Sequence, residues 1–177
     1  METLQLFTIG HSVHAIEEFI NLLKMHDIQL VVDVRSVPAS RFHPQFRKHS
    51  LAKALAKAGI DYQFLGQALG GRPDDPTCYP GGVLPAKGTK PWPQPDYEQM
   101  MQKGWFTRGM AQLLSQAVER PTAIMCGEEN PFDCHRHHLI ADYLWRRYPE
   151  VEVMHIRRDG TLLPAAETLS SEQLSLW

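Results

Sequence analysis

The chain has 177 residues, 43% hydrophobic and 21% charged, with a formal net charge of −2 at pH 7. That length carries one substantial core, so a single domain over 1–177 is expected. No apolar run is long enough to span a bilayer and the start METLQLFTIG has no cleavable signal, so no membrane partner and a cytoplasmic location are expected, while the near-neutral charge disfavours nucleic-acid binding through bulk charge.

In chain order, Leu4 to Ile9 reads as a strand ending at Gly10. Ile16, Phe19, Ile20 and Leu23 then fall at helical spacing, which predicts a helix from about His14 to Met25. The run Ile28 to Val34 has the β-branched character of a buried parallel strand. A helix follows over Leu51–Ala58, with Ser50 as N-cap and Gly59 as its stop, and then a strand over Tyr62–Leu65. Residues 66–96 are rich in glycine and proline and carry no hydrophobic period, so they read as a lid, a binding loop, a partner surface or a mobile insertion. A short helix near Tyr97 precedes an amphipathic one marked by Phe106, Met110, Leu113, Leu114 and Ala117. Strands are expected over Thr122–Cys126 and Val151–Ile156, a helix between them, and a loosely packed tail from 157. Strands alternating with helices predict an α/β fold, a three-layer sandwich around a mainly parallel sheet of about five strands.

In open parallel sheets ligands bind outside the carboxyl ends of the strands, and the unusual polar clusters of this chain gather at those ends. TIGHS follows the first strand, with His11 as either a hydrogen-bonded structural residue or an acid–base group, and Ser12 as a cap or a ligand contact. DVRSVPAS follows the second, where Asp33 and Arg35 share a face. Asp33 is expected to brace the loop, and Arg35 and Ser40 to meet an anion. LGGR adds Arg72. From Val34 to Ile60 there is no acidic residue, so this stretch reads as a solvated basic face or a phosphate-attracting patch.

CGEENPFDCHRHH, from Cys126 to His138, is the densest cluster. With Asp133 as N-cap of the next helix, Arg136 lies on the face of Ile140 and Tyr143 and points to the sheet, while His135 and His138 face outward. Three chemistries compete. Anion binding by Arg136 and the helix N-terminus, with His135 beside it and Glu128 as general base, is preferred. Next is an activated Cys134 thiol, with Cys126 as a resolving thiol or a structural residue. A metal site ranks last, because C-x7-C is not the short spacing of structural zinc sites and two of the three histidines turn away. No cofactor is expected, with a divalent metal left open. The three cysteines are an odd number and do not form a disulfide framework.

TIGHS, DVRSVPAS, GIDYQFLGQALGGR and CGEENPFDCHRHHLIADYL, in that order from Thr8 onward, resemble the uncharacterised domain-of-unknown-function family 488. The resemblance implies a prokaryotic α/β domain and a shared set of polar residues at positions matching His11, Asp33, Arg35, Ser40, Cys126, Glu128, Cys134, His135 and Arg136. It implies no reaction. The chain departs from the family at His14, where members often carry serine or asparagine, and in the phrase FHPQF. In layout it is also distantly similar to rhodanese-like domains, without their glycine-rich cradle. The leading expectation is a hydrolase or transferase holding a small phosphate-bearing or nucleic-acid ligand with Arg35, Arg72 and Arg136. The alternatives are a noncatalytic nucleic-acid or partner-binding module, and thiol chemistry at Cys134. Oligomeric state is left open.

Overall fold

The computed structural model describes residues 3–174. Six strands form one sheet: β1 (Leu4–Gly10), β2 (Leu30–Asp33), β3 (Asp61–Phe64), β4 (Thr122–Cys126), β5 (Val151–Ile156) and β6 (Leu162–Pro164). Their order is β3-β2-β4-β1-β5-β6, and every pairing is parallel except β5 with β6. The helices are α1 (Ile16–Met25), α2 (Lys48–Lys57), α3 (Gly66–Leu69), α4 (Tyr97–Met101), α5 (Gly104–Glu119), α6 (Asp142–Arg147) and α7 (Ala166–Leu174). Among the described residues, no helix is long and apolar enough to cross a membrane.

The two faces of the sheet carry separate cores, as a three-layer sandwich requires. On one face, Phe19 and Leu23 of α1 and Leu51 and Leu55 of α2 pack with Phe7, Ile9, Val31 and Met125. On the other, Phe106, Met110 and Leu113 of α5 and Leu139, Ile140 and Leu144 pack with Leu6, Val32 and Ile124. The split follows from right-handed crossovers: β1 and β2 hand the chain one way along the sheet, β3 and β4 hand it the other. The reversal falls at the central strands β2, β4 and β1, whose carboxyl ends therefore open onto a crevice between the layers.

Several boundaries differ from the sequence expectation. Ala15 occupies the N-cap of α1, its N–H donating to Glu18 Oε2 at 3.3 Å. Ser50 lies inside α2 rather than capping it, because the helix starts at Lys48, three residues earlier than expected, with Arg47 as N-cap. Residues 66–96 are not a free loop. They hold α3 and two 3-10 turns, and Leu69, Cys78 and Tyr79 are buried in the α5-side core. Over its described residues, the segment from 157 is also not a loose tail. A turn closed by Arg157 N–H donating to Thr161 O leads into β6, and Ala165 and Leu169 are buried. A three-residue, partly exposed strand has no alternation to read, which is why six strands stand where about five were expected.

Between β4 and α6 the chain forms a 3-10 turn (Pro131–Asp133) and a π-helical turn (Arg136–Ala141). Arg136 has no solvent exposure. Its Nε donates to Thr8 Oγ1 at 3.2 Å, its Nη2 to Glu129 O at 2.7 Å and its Nη1 to Glu128 O, so one guanidinium pins the whole loop to β1. A buried polar chain continues from it. Thr168 Oγ1–H donates to Ala165 O at 3.0 Å, so the neutral rings each accept through Nδ1 and the Thr8 hydroxyl gives its proton to His155 Nδ1 at 2.7 Å. His155 Nε2–H then donates to His137 Nδ1 at 3.0 Å, and His137 Nε2–H to Thr168 Oγ1 at 3.4 Å. Every step needs neutral imidazoles. Burial, then the neighbouring His137, lowers His155 to about 3, and burial lowers His137 to about 4.

Two predictions follow from this chain. Arg136→Met leaves two part-buried carbonyls without their donor and should cost about 2 kcal/mol of stability in urea unfolding, with Arg136→Lys restoring little because an ammonium cannot make the same fork; a change within experimental scatter contradicts the clamp. His155 is held below its unfolded value of 6.5, so the unfolded chain binds its proton first and stability is lost as pH falls. Between pH 6 and 5, before carboxylates titrate, the unfolding free energy should drop by about 1.4 kcal/mol per unit for each such histidine, and His155→Gln should remove one share of that slope.

Candidate functional site

At the end of β2, Asp33 is fully buried and saturated. Its Oδ1 accepts from Arg35 N–H at 3.1 Å and Nε at 2.9 Å, and its Oδ2 from Arg35 Nη2 and the Tyr62 hydroxyl, both at 2.7 Å. Burial and this carboxylate push the Tyr62 hydroxyl up, so it remains a donor. Arg35 Nη2 also donates to Phe46 O at 2.8 Å, and Nη1 lies 3.3 Å from His11 Nε2. Asp33 thus braces the loop through Arg35, and much of the Arg35 fork is spent on structure. Donor arithmetic leaves one Nη1 hydrogen for a ligand.

His11, at the end of β1, is buried, stacked on Phe46 at 4.5 Å. Burial, reinforced by the Arg35 charge, lowers it to about 4. The neutral ring donates Nδ1–H to Ser12 O at 3.0 Å and accepts from Arg35 through Nε2, which makes it a spacer between β1 and Arg35. Ser12 sits at φ 42° with its N–H donating to Gly127 O at 2.9 Å; it neither caps α1 nor lines the cavity described below. Gly10 allows this crossing: a Cβ there would lie 1.7 Å from Glu128 O.

At the end of β4, Cys126 meets Cys134 and His135 from across the loop. His135 Nδ1 lies 3.6 Å from Cys126 Sγ and 3.7 Å from Cys134 Sγ, and the three donor atoms are all within 4.8 Å of one another. His135 Nε2 lies 3.1 Å from Val34 O, so that nitrogen carries the proton and Nδ1 turns its lone pair to the sulfurs. Hydrogen bonding from the Cys126 thiol, opposed by burial and aided by the Arg136 charge, holds Cys134 well below the ordinary thiol range, while the same pairing holds Cys126 above it. All three cysteines are free.

The outward orientation expected for His135 is therefore incorrect. Asp133 closes a 3-10 turn, is exposed, and does not cap the helix, whose first turn starts at Arg136 and is π-helical. His135 precedes that turn, so a regular 100° step from the helix does not apply to it. Arg136 does point towards the sheet, but it is consumed by the loop carbonyls and is not among the residues that line the cavity.

These strand ends enclose a cavity of about 640 Å³. Its floor is His11, Arg35, Cys126, Cys134 and His135, and Glu128, exposed, stands at one wall. Ser40 lines it too, though its Oγ accepts from His43 N–H at 2.9 Å. The opposite wall comes from the segment 71–97. Arg72 N–H donates to Ser36 Oγ at 2.8 Å, and its guanidinium lies 5.2 Å from the centre of the Trp92 ring. Sequence reasoning missed Trp92, Tyr97 and Ser36 as lining residues. The only signal for Trp92 was an aromatic in a segment without hydrophobic period, where aromatics have no helix or strand to serve, and Tyr97 gave none beyond opening α4.

The family model described as Domain of unknown function DUF488 matches residues 15–144, well over half of the chain. No curated protein and no solved structure matches. The matched span takes in Arg35, Arg72, Cys126, Glu128, Cys134, His135 and Arg136, but begins after TIGHS. On that span, the chain belongs to the DUF488 family.

Proposed function

We propose that the crevice at the carboxyl ends of β2, β4 and β1 is the active site of an enzyme for a small anionic substrate, with a phosphate-bearing molecule as the favoured class. The observation that carries this reading is Arg72. Its guanidinium lies over Trp92 at the cavity wall, and among the described residues no carboxylate lies within ion-pair reach of it. The cation–π contact holds the guanidinium at the wall, where its N–H groups can meet two oxygens of a ligand. The unspent Arg35 hydrogen supports the same reading from the floor. Glu128, exposed at the wall, is the acid–base group of this proposal. Arg136 drops out of the ligand set and becomes its scaffold.

A second reading, a noncatalytic nucleic-acid surface, has one observation in its favour. Phe42 is 82% exposed, with Arg41 6.0 Å from its ring, just past Ser40 on the cavity rim. An aromatic and an arginine side by side suit an unpaired base and its phosphate. That reading predicts affinity that falls steeply with salt.

The test is a thermal-shift series with inorganic phosphate, mononucleotides and short oligonucleotides on wild type, Arg72→Ala and Glu128→Gln. Phosphate-bearing ligands should raise the wild-type midpoint in proportion to occupancy. Arg72→Ala should weaken binding on the order of 10- to 100-fold, the loss of charge-assisted hydrogen bonds. Glu128→Gln should keep the shift and lose turnover once a substrate is in hand. Equal shifts in wild type and Arg72→Ala, or none in either, would remove the anion reading.

A further inference from the structure

We infer that Cys126, Cys134 and His135 form a three-ligand site for a thiophilic divalent cation of the zinc class, its fourth coordination position opening into the cavity.

Geometry is the first support. A tetrahedral zinc, with Zn–S near 2.3 Å and Zn–N near 2.05 Å, sets its sulfur and nitrogen donors about 3.6 Å apart. His135 Nδ1 stands 3.6 and 3.7 Å from the two sulfurs, and all three donors lie within 4.8 Å of one another. Those distances place a single Nδ1 lone pair before both sulfurs at once. As edges of a coordination tetrahedron they need no adjustment.

Orientation is the second. A metal-bound histidine usually donates its other ring N–H to a carbonyl or carboxylate, which fixes the tautomer and aims the lone pair. His135 Nε2–H does this with Val34 O at 3.1 Å. The ring is also held from behind: a Cβ on Gly71 would come within 2.8 Å of it, so the glycine of LGGR is the space the imidazole occupies. Two independent segments, the end of β2 and the start of the 71–97 wall, thus hold one side chain in a ligating pose.

Charge and softness are the third. Two thiolates and a neutral imidazole neutralise a divalent cation, which suits a site built beside the buried Arg136. Thiolate donors select zinc-class ions over magnesium or calcium. All three ligands line the cavity, so three protein ligands and one open position result, the arrangement of catalytic rather than structural zinc. On the proposed anion-substrate reading, that position receives a water or a substrate oxygen. The metal site itself does not depend on that reading.

The short C-x2–4-C spacing, whose absence disfavoured a metal in the sequence, describes ligand pairs on one tight turn. Here Cys126 ends a strand and Cys134 follows a 3-10 turn, and the loop between them is folded back by Arg136.

The test uses the full chain, stripped with EDTA, reloaded with ZnCl2 or CoCl2 and freed of excess metal by gel filtration. One zinc per chain should be retained by elemental analysis. The cobalt form should show thiolate-to-metal charge transfer in the near ultraviolet and the strong visible bands of tetrahedral cobalt. His135→Ala and Cys126→Ser should lose both signals while keeping the wild-type circular dichroism. Because both cysteines are core residues, a second arm needs no variant: zinc should slow labelling of wild-type thiols by a disulfide reagent roughly tenfold or more, with EDTA reversing it. Arg72→Ala should bind zinc as wild type does, so loss of anion binding and loss of metal are told apart. Zinc retention no greater than in Cys126→Ser, unchanged thiol labelling, or a Cys126–Cys134 disulfide forming in the presence of zinc would overturn the inference.

Discussion

A guanidinium with no exposure must find acceptors for its donors, and Arg136 finds them in the carbonyls of Glu128 and Glu129 and the hydroxyl of Thr8. The course of the 127–135 loop depends on that requirement. Leaving a buried charge or buried carbonyls unpaired costs several kcal/mol, so the loop has one low-energy path. That path carries the backbone of Glu128 across β1 where only glycine fits, and brings Cys134 and His135 back over the end of β4 beside Cys126.

The same residue ties the site to the rest of the molecule. Through Thr8, His155, His137 and Thr168 a single direction of donation runs from the loop to α7. Glu129 extends the tie on the surface side, its carboxylate accepting from Arg157 at 3.2 and 3.3 Å in the β5–β6 turn. The segment after β5 is therefore a support for the site loop as well as a cover for the core. A neutral histidine pair is the price of this wiring in acid, since each ring has a role only while uncharged.

Asp33 plays the corresponding part on the β2 side. It orients Arg35, which orients His11, and all three lie within the floor or directly beneath it. What the cavity can offer a ligand is what remains after those obligations: the edge of Arg72, one hydrogen of Arg35, the carboxylate of Glu128, and the Cys126–Cys134–His135 cluster. A site in which most charged groups are occupied by one another is rigid, and rigidity is what a preorganised centre requires.

The periodicity of the chain by itself determined the α/β class, the five parallel strands and the edge at which polar residues collect, because strand ends and helix faces are local properties. It also placed Arg136 on the sheet-facing side and Asp33 as a brace. The tail was illegible, since β6 is defined by pairing with β5 rather than by any pattern of its own. So was the wall at 71–97, where single residues such as Tyr79 anchor an aperiodic segment. Only tertiary structure decided what the polar residues do. Arg136, read as a ligand for an anion, is used up by carbonyls eight and seven residues away, and His135, read as facing solvent, turns inward because it precedes a π-helical turn. Side-chain types announce which chemistry is available; which of it is spent on holding the fold is settled by hydrogen-bond partners outside any local helix or strand repeat.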